Sequence, residues 1–261
     1  MQKGTCKLCL EYKDLCKKSH VIPKFLYKLL TDEKNMIVYL DKTKPQFKYN
    51  SEYEANILCE NCDNITIGKF DDYSAKLING GLPDSVAPRL AKIGERDYLI
   101  KENDPNYNYE SFKLFLISLL WRCSISNRPF FQGFKLDSDI EEDLRQRILA
   151  NLPGKPDCYP CFISLPPLLR QADGNLGFNT FHMPTMSPAY VVSGELKMCE
   201  FVIQGMHFYF IISRPSNMSV EPSVEINKLT MMFNTVEEQG ELTQKIIDLM
   251  KNHARRNNSI I

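Results

Sequence analysis

The chain has 261 residues, 43% of them hydrophobic and 25% charged, with 32 basic and 32 acidic side chains that cancel. This composition excludes a disordered chain, and zero net charge excludes attraction to nucleic acid through the protein as a whole. The length suits either one large domain or a small metal module followed by an ordinary one.

The N-terminus, Met1-Gln-Lys-Gly-Thr-Cys6, is polar and lacks the apolar core of a signal peptide. Cys6-Lys-Leu-Cys9 then offers a tight backbone knuckle, followed by a polar, hairpin-like stretch. Pro23 permits a brief helix over Phe25–Leu30, and Met36–Leu40 has the composition of a strand within a loop-rich region. Cys59-Glu-Asn-Cys62 follows an apolar Ile57-Leu58 step and leads into a helix over Cys62–Leu77. The cluster Gly80-Gly81-Leu82-Pro83 is the strongest break in the chain. The expected division is therefore a module over 1–80 and an α+β domain over 81–261.

Beyond the break, Tyr109–Ser126 has apolar residues at 112, 115, 116, 119, 120 and 123, the spacing of a deeply buried helix. Its run Phe112–Trp121 is the longest apolar stretch, yet Lys113 and Ser118 interrupt it and Arg122 closes it, so no membrane span is expected. Trp121 reads as a core anchor and Arg122 as the partner of an acid at the junction, with a grip on phosphate as its alternative. Asp137-Ser138-Asp139 caps a second helix over Ile140–Leu152, which Pro153-Gly154 ends. Strands follow at Phe162–Leu165, Ala189–Val192, Met198–Ile203 and His207–Ser213, the last two joined by Gln204-Gly205. An amphipathic helix over Val236–Ala254, ending in a basic tail, closes the chain. The resulting class is α+β: an N-terminal zinc module, then helices with a small antiparallel sheet.

Two Cys-x-x-Cys pairs, Cys6/Cys9 and Cys59/Cys62, supply the four thiolates of a closed tetrahedral zinc site. The nine cysteines accordingly read as reduced thiols of a cytoplasmic protein, some on metal, not as a disulfide framework. Between the pairs lies Ser19-His20-Val21-Ile22-Pro23, where an imidazole can be structural or can act as a base near neutral pH. Residues 1–50 carry eleven Lys against five Asp/Glu. Lys17, Lys18, Lys24 and Lys28 surround His20 and can grip a phosphate backbone, or simply be solvated. Cys158-Tyr-Pro-Cys161 is a third pair, but its flanks read as a strand, so buried thiols are expected there. A second zinc would need Cys199, His182 or His207, which lie scattered. His207 reads as a strand residue and His253 as part of the terminal helix.

The segments Cys6-x2-Cys9, Ser19-His20-Val-Ile-Pro23 and Leu58-Cys59-x2-Cys62-Asp63 resemble the zinc-containing branch of the HNH endonucleases, and in particular a bacterial group of HNH-like proteins. The resemblance covers residues 1–80 and implies a treble-clef zinc module: knuckle, hairpin, then a helix that starts with the second cysteine pair. It further implies that His20 activates water against a phosphodiester of DNA or RNA. A divalent ion, Mg²⁺ or Mn²⁺, would bind nearby with Asp63 as a ligand, and the biological role could be defence against phage or mobile DNA. Ser19 stands where the family places a metal ligand, and Glu54 where it places an Asn. The alternative is a catalytically inert zinc module that binds nucleic acid or a protein partner.

Overall fold

The computed structural model describes residues 2–27, 37–40, 45–48, 52–93, 95–166, 168–170, 176–178, 185–203 and 205–234. Lys28, His182, His253 and the helix expected over Val236–Ala254 lie outside these residues.

The N-terminal region contributes strands β1 (Gln2–Thr5), β2 (Tyr12–Leu15), β3 (Ser19–His20), β4 (Ile37–Leu40), β5 (Pro45–Lys48) and β6 (Tyr53–Glu54). A wide π-type turn, Asn61–Ile67, then runs into helix α1 (Gly68–Ile78). After Gly80, which takes a left-handed φ of 75°, come β7 (Arg89–Ile93), β8 (Arg96–Glu102), α2 (Tyr109–Ile125) and α3 (Ser138–Ala150). The remaining strands are β9 (Cys161–Leu165), β10 (Leu168–Arg170), β11 (Leu176–Phe178), β12 (Thr185–Ser193), β13 (Leu196–Ile203), β14 (Met206–Ser213), β15 (Val224–Glu225) and β16 (Lys228–Phe233). The protein is thus mixed α+β. No helix among the described residues is long and apolar enough to cross a membrane.

The principal sheet has ten strands, in the order β5-β4-β12-β13-β14-β9-β16-β8-β7 with β15 on β16. It is larger than the small sheet expected, because β7 and β8 (RLAKI and RDYLIKE) interleave charges that hide their strand pattern. Such charges suit a sheet edge, where side chains stay in water and discourage further pairing. Pairing is antiparallel except at β12–β4 and β16–β9. The β4–β12 pairing joins a segment from the first 80 residues to the sheet.

Helix α2 is the axis of the core. Asn108 caps it, its Oδ1 accepting from Ser111 N at 2.8 Å, and every residue from Phe112 to Ile125 is buried. A helix that is apolar all round belongs inside, and each fully buried Leu or Phe there contributes roughly 1.5–3 kcal/mol. Helices α1 and α3 pack against α2, while Phe201, Phe208 and Phe210 of the sheet complete one continuous core. The carbonyls at the end of α2 are capped from outside: Lys135 donates to Ser124 and Ser126, and Lys7 Nζ donates to Ile125 O at 2.7 Å. Those lysines satisfy helix-end acceptors that the buried environment would otherwise leave without water.

Candidate metal centre and the adjoining His20 cluster

The β1–β2 hairpin closes on the first cysteine pair. Leu10 takes a left-handed φ of 62°, its N–H donates to Cys6 O at 2.9 Å, and Cys6 N donates to Glu11 O at 2.9 Å. The second pair is drawn alongside by backbone bonds, Lys7 N to Ile57 O at 2.9 Å and Cys16 N to Leu58 O at 2.8 Å. As a result the sulfurs of Cys6, Cys9, Cys59 and Cys62 all lie within 4.8 Å of one another. Cys9 and Cys59 Sγ are 4.0 Å apart. Four sulfurs around zinc at the usual bond length would be about 3.8 Å apart, so the cluster fits a tetrahedral ion with little adjustment.

The electrostatics agree with that fit. Burial pushes the Cys62 and Cys9 thiols up, which makes bare thiolates costly there. Burial also weighs on Cys6, but backbone donors from Cys59, Cys9 and Leu8 outweigh it and bring its thiol down. The Cys59 amide contributes through a 3.4 Å contact to Cys6 Sγ. A bound cation would supply the positive charge that holds all four as thiolates. Four sulfurs select a soft ion such as zinc over Mg²⁺ or Ca²⁺. Among the described residues this is the one cluster of its kind.

The helical segment that follows Cys59 carries a second set of groups. Asp63 lies in the π-type turn directly after Cys62, and its carbonyl accepts from Gly68 N. Facing Asp63 is β3, which holds Ser19 and His20 and pairs with β6 so that Ser19 lies opposite Glu54 and His20 opposite Tyr53. His20 feels the charges of Asp63, Arg122, Asp71 and Lys24. Burial lowers its pKa below the ordinary value of 6.5, Asp63 and Asp71 opposing and Arg122 and Lys24 assisting. Burial raises Asp63, while Ser19, Arg122 and His20 hold it down. Ser19 is completely buried, and its hydroxyl leans toward that carboxylate without closing a hydrogen bond of normal geometry.

Arg122 reaches the cluster from the core, pairing with an acid as its place at the end of α2 implied. Its Nη1 and Nη2 donate to Asp71 Oδ2 and Oδ1, both at 2.9 Å, and Nη1 also donates to the His20 carbonyl at 3.1 Å. Those bonds leave it no donor for a phosphate.

Of the lysines named from sequence, Lys17, Lys18 and Lys24 are exposed around His20. Lys18 Nζ lies 5.2 Å from the centre of the Tyr53 ring. Tyr53 itself had no mark in the sequence, yet its pairing with His20 puts an exposed aromatic on the same face. Asp71 was also missed, because nothing in the pair Asp71-Asp72 says which carboxylate faces inward. Glu54 proves to be structural. Its carboxylate accepts from Ser126 Oγ at 2.7 Å and Asn127 N at 2.9 Å, tying β6 to the end of α2. Asn56 holds a left-handed turn with φ 61°, its N–H donating to Cys16 O at 2.9 Å. The Cys16 thiol faces Asp63, Glu60 and Cys59, and burial pushes it up to about 11.

Of the third cysteine pair only Cys161 follows the strand reading: it opens β9, and burial pushes its thiol up to about 12, whereas Cys158 lies in the bend before the strand and is half-buried. His207 lies on β14, its Nδ1 2.9 Å from Glu200 Oε1 and 3.0 Å from Tyr209 Oη. No protein family, curated protein or solved structure matches the chain.

Proposed function

We propose that this protein is an HNH-like, metal-dependent endonuclease acting on DNA or RNA, built on a treble-clef zinc module in which Cys6, Cys9, Cys59 and Cys62 hold the structural ion. The observation that carries this reading is that His20 lies within electrostatic reach of Asp63, on the helical segment that follows the second cysteine pair. His20 is the general base: burial keeps its imidazole neutral at pH 7, so it can take a proton from water as that water attacks phosphorus. Asp63 is the candidate carboxylate for Mg²⁺ or Mn²⁺, which would supply Lewis-acid stabilisation of the leaving oxygen. Exposed Lys17, Lys18 and Lys24 supply charge for the backbone, with Lys28 a fourth candidate outside the described residues. Tyr53 offers a ring on which a base can stack.

Incubation of the zinc-loaded protein with plasmid and single-stranded DNA and with RNA, in Mg²⁺ or Mn²⁺, tests this reading. It predicts strand scission that disappears in EDTA with zinc still bound. No scission of any substrate would overturn it.

One observation favours a second reading, a zinc module that only binds. Glu54, where the family carries an Asn, is fully engaged with Ser126 and Asn127 and unavailable to a reaction. That reading predicts binding that weakens steeply with salt and leaves strands intact, or salt-insensitive binding if the partner is a protein.

A further inference from the structure

Arg122 is 1% exposed, in a helix otherwise packed with apolar side chains. A guanidinium has five N–H donors and cannot shed its charge, so burial demands that every donor be met. Here all five are. Nε donates to Ser118 O at 3.3 Å. Nη2 divides between Asp71 Oδ1 at 2.9 Å and Ser118 Oγ at 3.3 Å. Nη1 divides between Asp71 Oδ2 at 2.9 Å and His20 O at 3.1 Å. Stability alone does not call for such an arrangement, since an apolar pair of similar volume commonly does as well or better than a buried ion pair.

What the ion pair accomplishes is visible at its fifth bond. The strand bearing His20 is two residues long and pairs with another of two residues, a ladder too short to be rigid by itself. The peptide unit linking His20 to Val21 is instead held from both sides. Its carbonyl accepts from Arg122, and its N–H donates to Glu52 O at 3.0 Å. The arginine side of this clamp spans 102 residues of sequence and is rooted in the most buried helix of the protein. Asp71, on α1, fixes the guanidinium plane with a two-bond fork, so the third direction of donation is set by geometry.

We infer that Arg122, oriented by Asp71, is a positioning residue that clamps the His20–Val21 peptide unit and thereby holds the His20 imidazole in register with Asp63. The consequence for catalysis rests on the nuclease reading of His20; the clamp itself does not. A lysine cannot replace it, because one ammonium cannot hold a carboxylate fork and a carbonyl in fixed directions at once.

The test compares wild type, Arg122→Lys and the apolar double variant Arg122→Met/Asp71→Leu, each first shown to hold equal zinc. Amide exchange at Val21, whose N–H is the Glu52 side of the clamp, reads whether the peptide unit stays fixed, and the cleavage assay reads its use. The double variant should melt at or above the wild-type temperature. Val21 should nevertheless exchange at least about tenfold faster in both variants while amides of Phe112–Leu120 keep their protection. Cleavage should fall on the order of 100-fold in kcat with KM little changed, the size expected of a misplaced catalytic group. Unchanged Val21 exchange in both variants overturns the clamp. Faster exchange with full cleavage leaves it structural and overturns the positioning role. If wild type does not cleave at all, the nuclease reading fails while the exchange comparison still decides the clamp.

Discussion

The two ends of α2 treat a buried cation in opposite ways. Arg122, near the C-terminal end, is matched donor for donor by Asp71, Ser118 and His20. Lys113, near the N-terminal end and also fully buried, has one hydrogen bond, to Tyr159 O at 2.8 Å, and no ion pair among the described residues. Burial therefore lowers the Lys113 ammonium to about 8. A paired charge that cannot titrate serves to orient its neighbours, whereas an unpaired one that can titrate burdens the fold. The His20 cluster and the cysteine cluster both adjoin the first kind of end. Cysteine cluster, arginine and caps converge there: Arg145 Nη1 donates to Leu8 O at 2.6 Å and Lys7 caps Ile125.

Loss of the ion that the four cysteines can hold should have the largest effect. A structural zinc site contributes on the order of 10 kcal/mol to the segment it organises. Chelation, or Cys62→Ser, should release amide protection across residues 2–27 and 52–67 while the sheet around β13 and β14 keeps it. Uniform protection after verified metal loss would mean the hairpin and helix hold themselves together. Next in size, Arg122→Met alone leaves the Asp71 carboxylate, 20% exposed, without its partner. It should cost about 3–5 kcal/mol in urea unfolding, all of which the added Asp71→Leu recovers. A cost that the second substitution leaves untouched would place the penalty in packing.

Lys113→Met should move stability the other way. The lysine binds its proton more weakly folded than unfolded, from 10.5 down to about 8. Below about pH 8 both states are protonated and the native state carries the full burden. Between about 8 and 10.5 the native state sheds its proton first, so wild type gains stability as pH rises. The methionine variant should be more stable at pH 7 by roughly 2 kcal/mol, after allowing for the lost bond to Tyr159, and its advantage should vanish by pH 10.5. A constant difference across that range would contradict the assignment. Smallest is Lys18→Ala, which should lower the slope of log K against log salt for single-stranded DNA by about 0.7. An unchanged slope would remove Lys18 from the interface.

Much of this was legible in the residues because it depends on local spacing. Cys-x-x-Cys pairs make knuckles, and the apolar positions of Tyr109–Ser126 make a buried helix, here Tyr109–Ile125. Ser138–Ala150 follows its Asp137 start, and Asn151 ends it with a left-handed φ of 57°. What stayed hidden depends on pairing across the chain. That β4 joins β12 is a contact over more than 140 positions, and no local pattern encodes it. The inward turn of Asp71, the place of Tyr53 beside His20 and the diversion of Glu54 into the α2 cap arise from which face of an element meets α2. The motif at residues 19–23 thus marked where His20 would be, but not that its carbonyl would be held from 102 residues away.

The central claim is that His20 performs chemistry on a phosphodiester, and the most direct test is plasmid cleavage by wild type and His20→Ala at matched zinc content and melting temperature. Wild type should cleave in Mg²⁺ or Mn²⁺ and the variant should lose at least about 100-fold, the minimum expected for removing a general base. Equal cleavage by both proteins would contradict it.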